Sequence, residues 1–215
     1  MALRLLVDLY HAQNLREDGG VSRRVVWQAY ERIKIGEQGQ FVVWGFRGGD
    51  TTTTNWNNDI TPPHRRKTLT EQEIAAGCNN AVDFFRRLQH LTDLGLGEWV
   101  PYLVESADES GETIHPLGLG SSDTIEDRLG RAARDAASAL LTDNQYAWAV
   151  ENYIDYLVPA LRHIANVQMI GILRLRYRPH TSMTAAWWHN LQTNAEKHLA
   201  KYAEIARDCA KRAAI

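Results

Sequence analysis

The residues of this chain with the most chemistry to offer are its arginines and lysines, set beside glycine turns, prolines and a helix. Arg23 and Arg24 follow Asp18-Gly19-Gly20, and Lys34 stands next to Gly36-Glu37-Gln38-Gly39. Arg65, Arg66 and Lys67 are consecutive and follow Pro62-Pro63. Asn79, Asn80, Asp83, Arg86, Arg87 and His90 fall on the outward side of a helical pattern. Asparagine can bridge adenine and arginine can bridge guanine through paired hydrogen bonds, while guanidinium and ammonium groups neutralise phosphate. Arg174, Arg176 and Arg178 alternate with Leu173, Leu175 and Tyr177. In a strand that spacing puts three guanidinium groups on one face. They could hold phosphates, or they could pair with carboxylates, which arginine does equally well. The bland counterpart for Lys34 and its neighbours is a solvated hairpin with salt bridges to Glu31 and Glu37. For the helix it is a solvated face, and Asp108, Glu109 and Glu112 nearby would repel phosphate. Trp187 and Trp188 are adjacent and so about 100° apart on a helix. One of them should be exposed or in a protein contact, where tryptophan is enriched.

Other chemistries find little support. The eight histidines (His11, His64, His90, His115, His163, His180, His189, His198) contain no His-Glu-x-x-His motif and no helical i,i+4 pair. Cys78 and Cys209 are the only cysteines. No metal and no cofactor is expected. Glu71/Glu73 and Glu126/Asp127 sit at helix starts, where the dipole favours acids. There is no phosphate-binding glycine loop after a strand and no serine nucleophile elbow, so the expectation is a protein that is not an enzyme.

These residues need elements to position them. Leu5, Leu6, Leu9 and Ala12 predict a helix over residues 2–14, ended by Gly19-Gly20. Val25 to Ile35 and Phe41 to Phe46 are β-branched and aromatic runs around the 36–39 turn, which predicts a hairpin. Thr70 and Glu73 have capping-box spacing, and Val82, Phe85, Leu88 and Leu91 line one face of the following helix. Residues 98–105 and 112–115 predict a second hairpin. The remainder reads as helical: 125–141, then 144–171 with a kink at Pro159, then 182–213. The stripe of the last helix is Leu191, Ala195, Leu199, Tyr202, Ile205/Ala206 and Cys209.

Thr70-x-x-Glu73-Ile74-Ala75, the apolar helix ending Leu88-x-x-Leu91 and the exit Leu94-Gly95-Leu96 carry a resemblance. Residues 68–118 resemble a bacterial winged helix-turn-helix, as in MarR-like regulators and tandem winged-helix plasmid replication initiators. Residues 2–46 are similar to a divergent second copy, about 79 residues earlier, with no room for its first two helices. Either the chain is a fragment of something longer or its first unit is atypical. The resemblance implies a mainly α fold with small β hairpins. The expected parts are a winged-helix-like unit at 1–48, a linker at 49–67, a winged helix-turn-helix at 68–120 and a helical oligomerisation or partner-binding segment at 121–215. It also implies that residues 79–90 touch bases and that Arg23, Arg24 and Lys34 anchor phosphate.

Composition sets the outer bounds. The chain has 215 residues, 44 % apolar and 23 % charged, which is ordinary for a globular protein. Its net charge of −2 hides three unlike segments. Residues 1–67 sum to +3, 68–130 to −9 and 131–215 to +4. A whole-chain basic footprint is therefore absent. No apolar run is long enough for a transmembrane helix, and Asp8 comes too early for a signal peptide. A cytoplasmic protein with free thiols is expected. The expected function is binding of nucleic acid, chiefly double-stranded DNA, by a protein of a bacterium or mobile element, in transcription control or replication initiation. The rival is a non-catalytic adaptor in a larger assembly, to which the −9 segment, the tryptophan pair and the apolar seam are suited. A homodimer fits either.

Overall fold

In the computed structural model the described residues are 2–14, 19–21, 27–48, 81–107, 111–118, 124–176 and 180–214. In chain order the elements are α1 (Ala2–His11), β1 (Gln13–Asn14), β2 (Gly20–Val21), β3 (Trp27–Gln38), β4 (Phe41–Gly48) and α2 (Ala81–Asp93). They continue with β5 (Gly97–Ala107), β6 (Gly111–Pro116), α3 (Ile125–Leu140), α4 (Asp143–Glu151), β7 (Tyr156–Leu161), β8 (Asn166–Leu175) and α5 (Ser182–Ala213). They form two compact units, each drawn from interleaved stretches of the chain.

The first unit comprises α1, β1, β2, α2 and residues 27–28, 97–100, 171–175 and 182–188. Leu5 and Leu9 of α1, one helical turn apart, are buried with Leu88 and Leu91 of α2, Val21, Leu173 and Leu175. Trp99 packs on this core. Gly19 is fixed twice over. It has φ +63°, and a Cβ there would stand 2.1 Å from the Trp187 ring.

The second unit holds a six-stranded antiparallel sheet in the order β6-β5-β8-β3-β4-β7. Residues 29–38, 101–107 and 166–170 are the portions of β3, β5 and β8 that belong to it. β3 and β4 are joined by Gly39-Gln40, with Gln38 opposite Phe41. Gly39 has φ +57°, as a two-residue hairpin turn requires. β4 also pairs with β7, from Phe41 opposite Leu161 to Phe46 opposite Tyr156. One core joins Val43, Phe46, Leu103, Leu157 and Val158 of the sheet to the helices. α3 supplies Leu129, Ala133, Ala136, Ala137 and Leu140, and α5 supplies Ala195, Tyr202 and Ile205. α3 begins where the Thr124 hydroxyl accepts a hydrogen bond from the Asp127 N–H. Its small buried residues let the helix lie close against β7.

The expected mainly α fold with small β hairpins is overturned: among the described residues about half are helix and 35 % strand. The two hairpins read as separate wings are neighbours in one sheet, with β8 between them. The long helix expected over 144–171 is instead α4, β7 and the first part of β8. α4 stops at Glu151, and Tyr153 takes φ +53°, which a helix cannot continue through. Pro159, read as a kink, lies in the edge strand β7 opposite Val43, and edge strands tolerate a missing N–H. Both strands are apolar because both are largely buried, so they lack the alternation that marks a one-sided strand. The last helix and its seam are as the spacing predicts, with Leu191, Ala195, Tyr202 and Ile205 buried. Among the described residues no helix is long and apolar enough to cross a membrane.

Candidate functional site

Each expected nucleic-acid contact among the described residues lies beside a carboxylate. Lys34 is paired with Glu37, which also takes Arg162 at 2.8 Å. The Lys34 hydrogen bond holds the Glu37 carboxyl below its ordinary range. Arg86 and Arg87 both pair with Asp83, one turn back on α2, and the Arg86 hydrogen bond lowers the Asp83 carboxyl. Arg174 Nε lies 2.8 Å from Glu98 Oε1, and Arg176 Nε is 3.8 Å from Glu98 Oε2. Arg23, Arg24, Arg65, Arg66, Lys67, Asn79, Asn80 and Arg178 lie outside the described residues. Trp187 is buried at 4 % exposure while Trp188 is 40 % exposed, and their rings meet edge to face with centroids 4.5 Å apart.

A different set of residues converges in the second unit. A pocket of about 550 Å³ opens where the ends of β3 and β4 meet α3, α4 and the start of β7. The register that puts Tyr30 opposite Gly48 and Phe46 opposite Tyr156 places both tyrosines on one face. Their rings pack edge to face at 5.6 Å, and their hydroxyls are hydrogen-bonded to each other. Burial raises both phenols above their ordinary range, and in Tyr156 the neighbouring Tyr30 and Asp155 add to it. Asp155 is locked to the sheet edge by two bonds. Its Oδ2 accepts from the Gly48 N–H at 2.6 Å, and its own N–H donates to the Phe46 carbonyl at 3.0 Å. Arg134 reaches the pocket from α3, with one long hydrogen bond to the Asp155 carbonyl at 3.4 Å. Tyr146 and Val150, four apart on α4, complete the wall. Arg128 and Arg131 share the exposed side of α3 with Arg134.

The pocket thus offers a guanidinium, a carboxylate and three phenol rings open to solvent. The sequence does not announce it, because the expected helix over 144–171 runs straight through Tyr146, Asp155 and Tyr156. The available signal was the run of tyrosines at 146, 153 and 156, with Pro159 arguing against a helix there.

Another pocket, of about 600 Å³, lies along α5 against the 38–41 turn. Its floor is Phe41, Leu140, Leu161, Ile205 and Cys209, and charges of both signs stand around it.

A third polar assembly is buried. His115 of β6 is 3 % exposed, and neither ring nitrogen has a hydrogen-bond partner among the described residues. Its Nε2 is 3.7 Å from Glu105 Oε2 across the β5–β6 pair, too far for a hydrogen bond. The His198 ring of α5 packs on it at 4.3 Å, with its own Nδ1 also unpartnered. Tyr202 completes the group, with Lys201 Nζ 5.9 Å above its ring. Burial, reinforced by His198 and Lys201, depresses the His115 imidazole to about 3. Burial likewise lowers His198 and raises Glu105 and Tyr202. Among the described residues no group of three or more His, Cys, Asp or Glu is arranged to hold a metal ion. Comparison of the chain with known protein families, curated proteins and solved structures finds no match.

Proposed function

We propose that the protein binds single-stranded nucleic acid, with one nucleotide seated in the pocket between α3, α4 and the sheet edge. The observation that carries this reading is the convergence of Arg134 with Tyr30, Tyr146 and Tyr156 around a space of about 550 Å³. Aromatic rings beside guanidinium groups are what a single strand requires. Every base has a face to stack, worth about 1–3 kcal/mol each, and every linkage has a charge to neutralise. The pocket's volume lies within the range of small-ligand sites, roughly 300–1,000 Å³. It suits a nucleotide whose base is not held in a duplex. A duplex reading needs a winged fold, phosphate anchoring by Arg23, Arg24 and Lys34 and base contacts from residues 79–90; of these, Lys34 pairs with Glu37, and Arg86 and Arg87 share Asp83.

Fluorescence anisotropy with labelled single-stranded 15-mers of mixed sequence, one of DNA and one of RNA, each containing all four bases, tests the proposal. Three phosphate contacts, from Arg128, Arg131 and Arg134, would weaken binding roughly 20-fold between about 50 and 200 mM salt, at about −0.7 per contact for single strands. Arg134→Ala should flatten that slope by about 0.7, and Tyr146→Ala should weaken binding at both salt concentrations. Absence of binding to either oligonucleotide at the lower salt refutes the reading.

A second reading, an adaptor docking on a protein, is favoured by one separate observation. Trp148, Val150 and Tyr153 in and after α4 are exposed, Tyr153 at 83 %. Tryptophan and tyrosine are frequent anchors of protein contacts. This reading predicts binding that is indifferent to salt and lost in Trp148→Ala.

A further inference from the structure

Resting on the nucleic-acid reading of the same pocket, we infer that the site selects guanine, with the Asp155 carboxylate receiving the base's Watson–Crick edge. The carboxylate is not consumed by the fold. Oδ2 takes the Gly48 N–H at 2.6 Å, and among the described residues Oδ1 has no hydrogen-bond partner. An ionised carboxylate only accepts hydrogen bonds, with roughly four lone-pair positions on its two oxygens. It therefore prefers a partner that presents adjacent donors and no acceptor.

Guanine alone among the four common bases does so, through N1–H and the N2 amino group. Thymine and uracil flank their single N3–H with two carbonyl oxygens, which the carboxylate repels. Adenine sets one amino group beside the N1 acceptor, and cytosine sets one beside N3. The discrimination is sharpened by the position of Asp155. Its backbone is tied to Phe46 and its side chain to Gly48, so the group cannot swing aside for a base that offers acceptors. Tyr146 and Tyr156 line the same space and offer faces for the ring. Arg134, whose guanidinium makes one long hydrogen bond among the described residues, to the Asp155 carbonyl, is placed for the anionic end of the nucleotide. A carboxylate and a guanidinium in one pocket match the two ends of a guanine nucleotide, a donor-rich edge and a phosphate.

The experiment compares four labelled octamers of thymidine carrying one central G, A, C or T, each too short in guanine to fold on itself. The G-containing strand should bind about tenfold more tightly than the other three. Guanosine monophosphate should displace it at lower concentration than uridine monophosphate. In Asp155→Asn, whose amide oxygen can still accept from the Gly48 N–H, the four affinities should converge to within about twofold. Unfolding temperatures of the two proteins establish that the variant is folded. Equal affinities for all four strands in the natural chain overturn guanine selection and leave the nucleic-acid reading standing. A preference that survives Asp155→Asn overturns the role of the carboxylate. Failure of every strand to bind overturns the inference together with the reading beneath it.

Discussion

The tyrosine pocket and the buried histidine cluster lie in the same unit and are built from the same kinds of polar side chain, yet they solve opposite problems. In the pocket each fixed polar group has a partner: Tyr30 with Tyr156, and Asp155 with the Gly48 N–H. Its remaining hydrogen-bonding capacity faces solvent. In the cluster, both nitrogens of His115 and the Nδ1 of His198 are sealed from water and have no partner among the described residues. A buried donor or acceptor left unmade costs about 1–3 kcal/mol, whereas one facing water costs almost nothing. The pocket therefore holds binding capacity cheaply, and the cluster is a stored instability in the core. The two should answer differently to pH and to substitution.

Acid gives the largest expected difference. The unfolded chain protonates His115 near the ordinary histidine value of about 6.5, whereas the folded protein holds it neutral down to about 3. Between those values the unfolded state binds the extra proton, so stability falls as pH falls. At about 1.4 kcal/mol per pH unit, His115 alone removes about 2 kcal/mol between pH 6.5 and 5. His198, also depressed, acts in the same direction. Glu105 acts against them, because its raised carboxyl takes up a proton in the folded state first, as pH falls toward the unfolded value. Lys201 and His163 face Glu105 and hold part of that rise back. Urea unfolding at pH 7.5 and pH 5 should show a lower midpoint in acid. An acid loss of the same size in His115→Leu as in the natural chain refutes the assignment of His115 as a neutral buried group.

How much of each region was legible in the sequence follows from how its residues are brought together. α3 and α5 could be read because each buries one stripe, and their caps and spacing are local. The two hairpins could be read for the same reason: each closes on itself within a few residues. The strands β7 and β8 could not. Leu157, Val158, Pro159 and Ala160 are all buried, and a short buried run has no period to distinguish strand from helix. That one error erased the candidate site, since Tyr156 meets Tyr30 only through the pairing of β7 with β4 and of β4 with β3. His115 and His198 are 83 positions apart and meet only when α5 lies on the sheet. Both residues were visible in the sequence, and neither spacing could announce their contact.

A substitution within the cluster sharpens the comparison. His115→Leu replaces an unpartnered imidazole with an apolar side chain of similar size against the His198 ring. It should stabilise the protein by about 1–3 kcal/mol at neutral pH, because an unmet polar group is removed and little volume is lost. It should also flatten the acid slope. Chemical denaturation of the variant at both pH values measures both effects. Destabilisation by more than about 1 kcal/mol would mean that His115 has a partner in solution, such as an ordered water.

The smallest effect belongs to the pocket. Tyr156→Phe deletes the hydroxyl that bonds to Tyr30 but keeps the ring, the edge-to-face contact and the strand pairing. The Tyr30 hydroxyl lines the open pocket and can turn to water, so the loss is that of one neutral hydrogen bond, about 0.5–1.5 kcal/mol. Because Tyr156 carries no charge at neutral pH, the change should leave the acid slope untouched. It should also raise the titration midpoint of the Tyr30 phenol, because the Tyr156 hydrogen bond favours the Tyr30 phenolate and is lost in the variant. Denaturation curves and an alkaline absorbance titration of the variant decide this. A loss of 3 kcal/mol or more would show that the two hydroxyls form a closed, dry pair, and the pocket would then resemble the histidine cluster instead of contrasting with it.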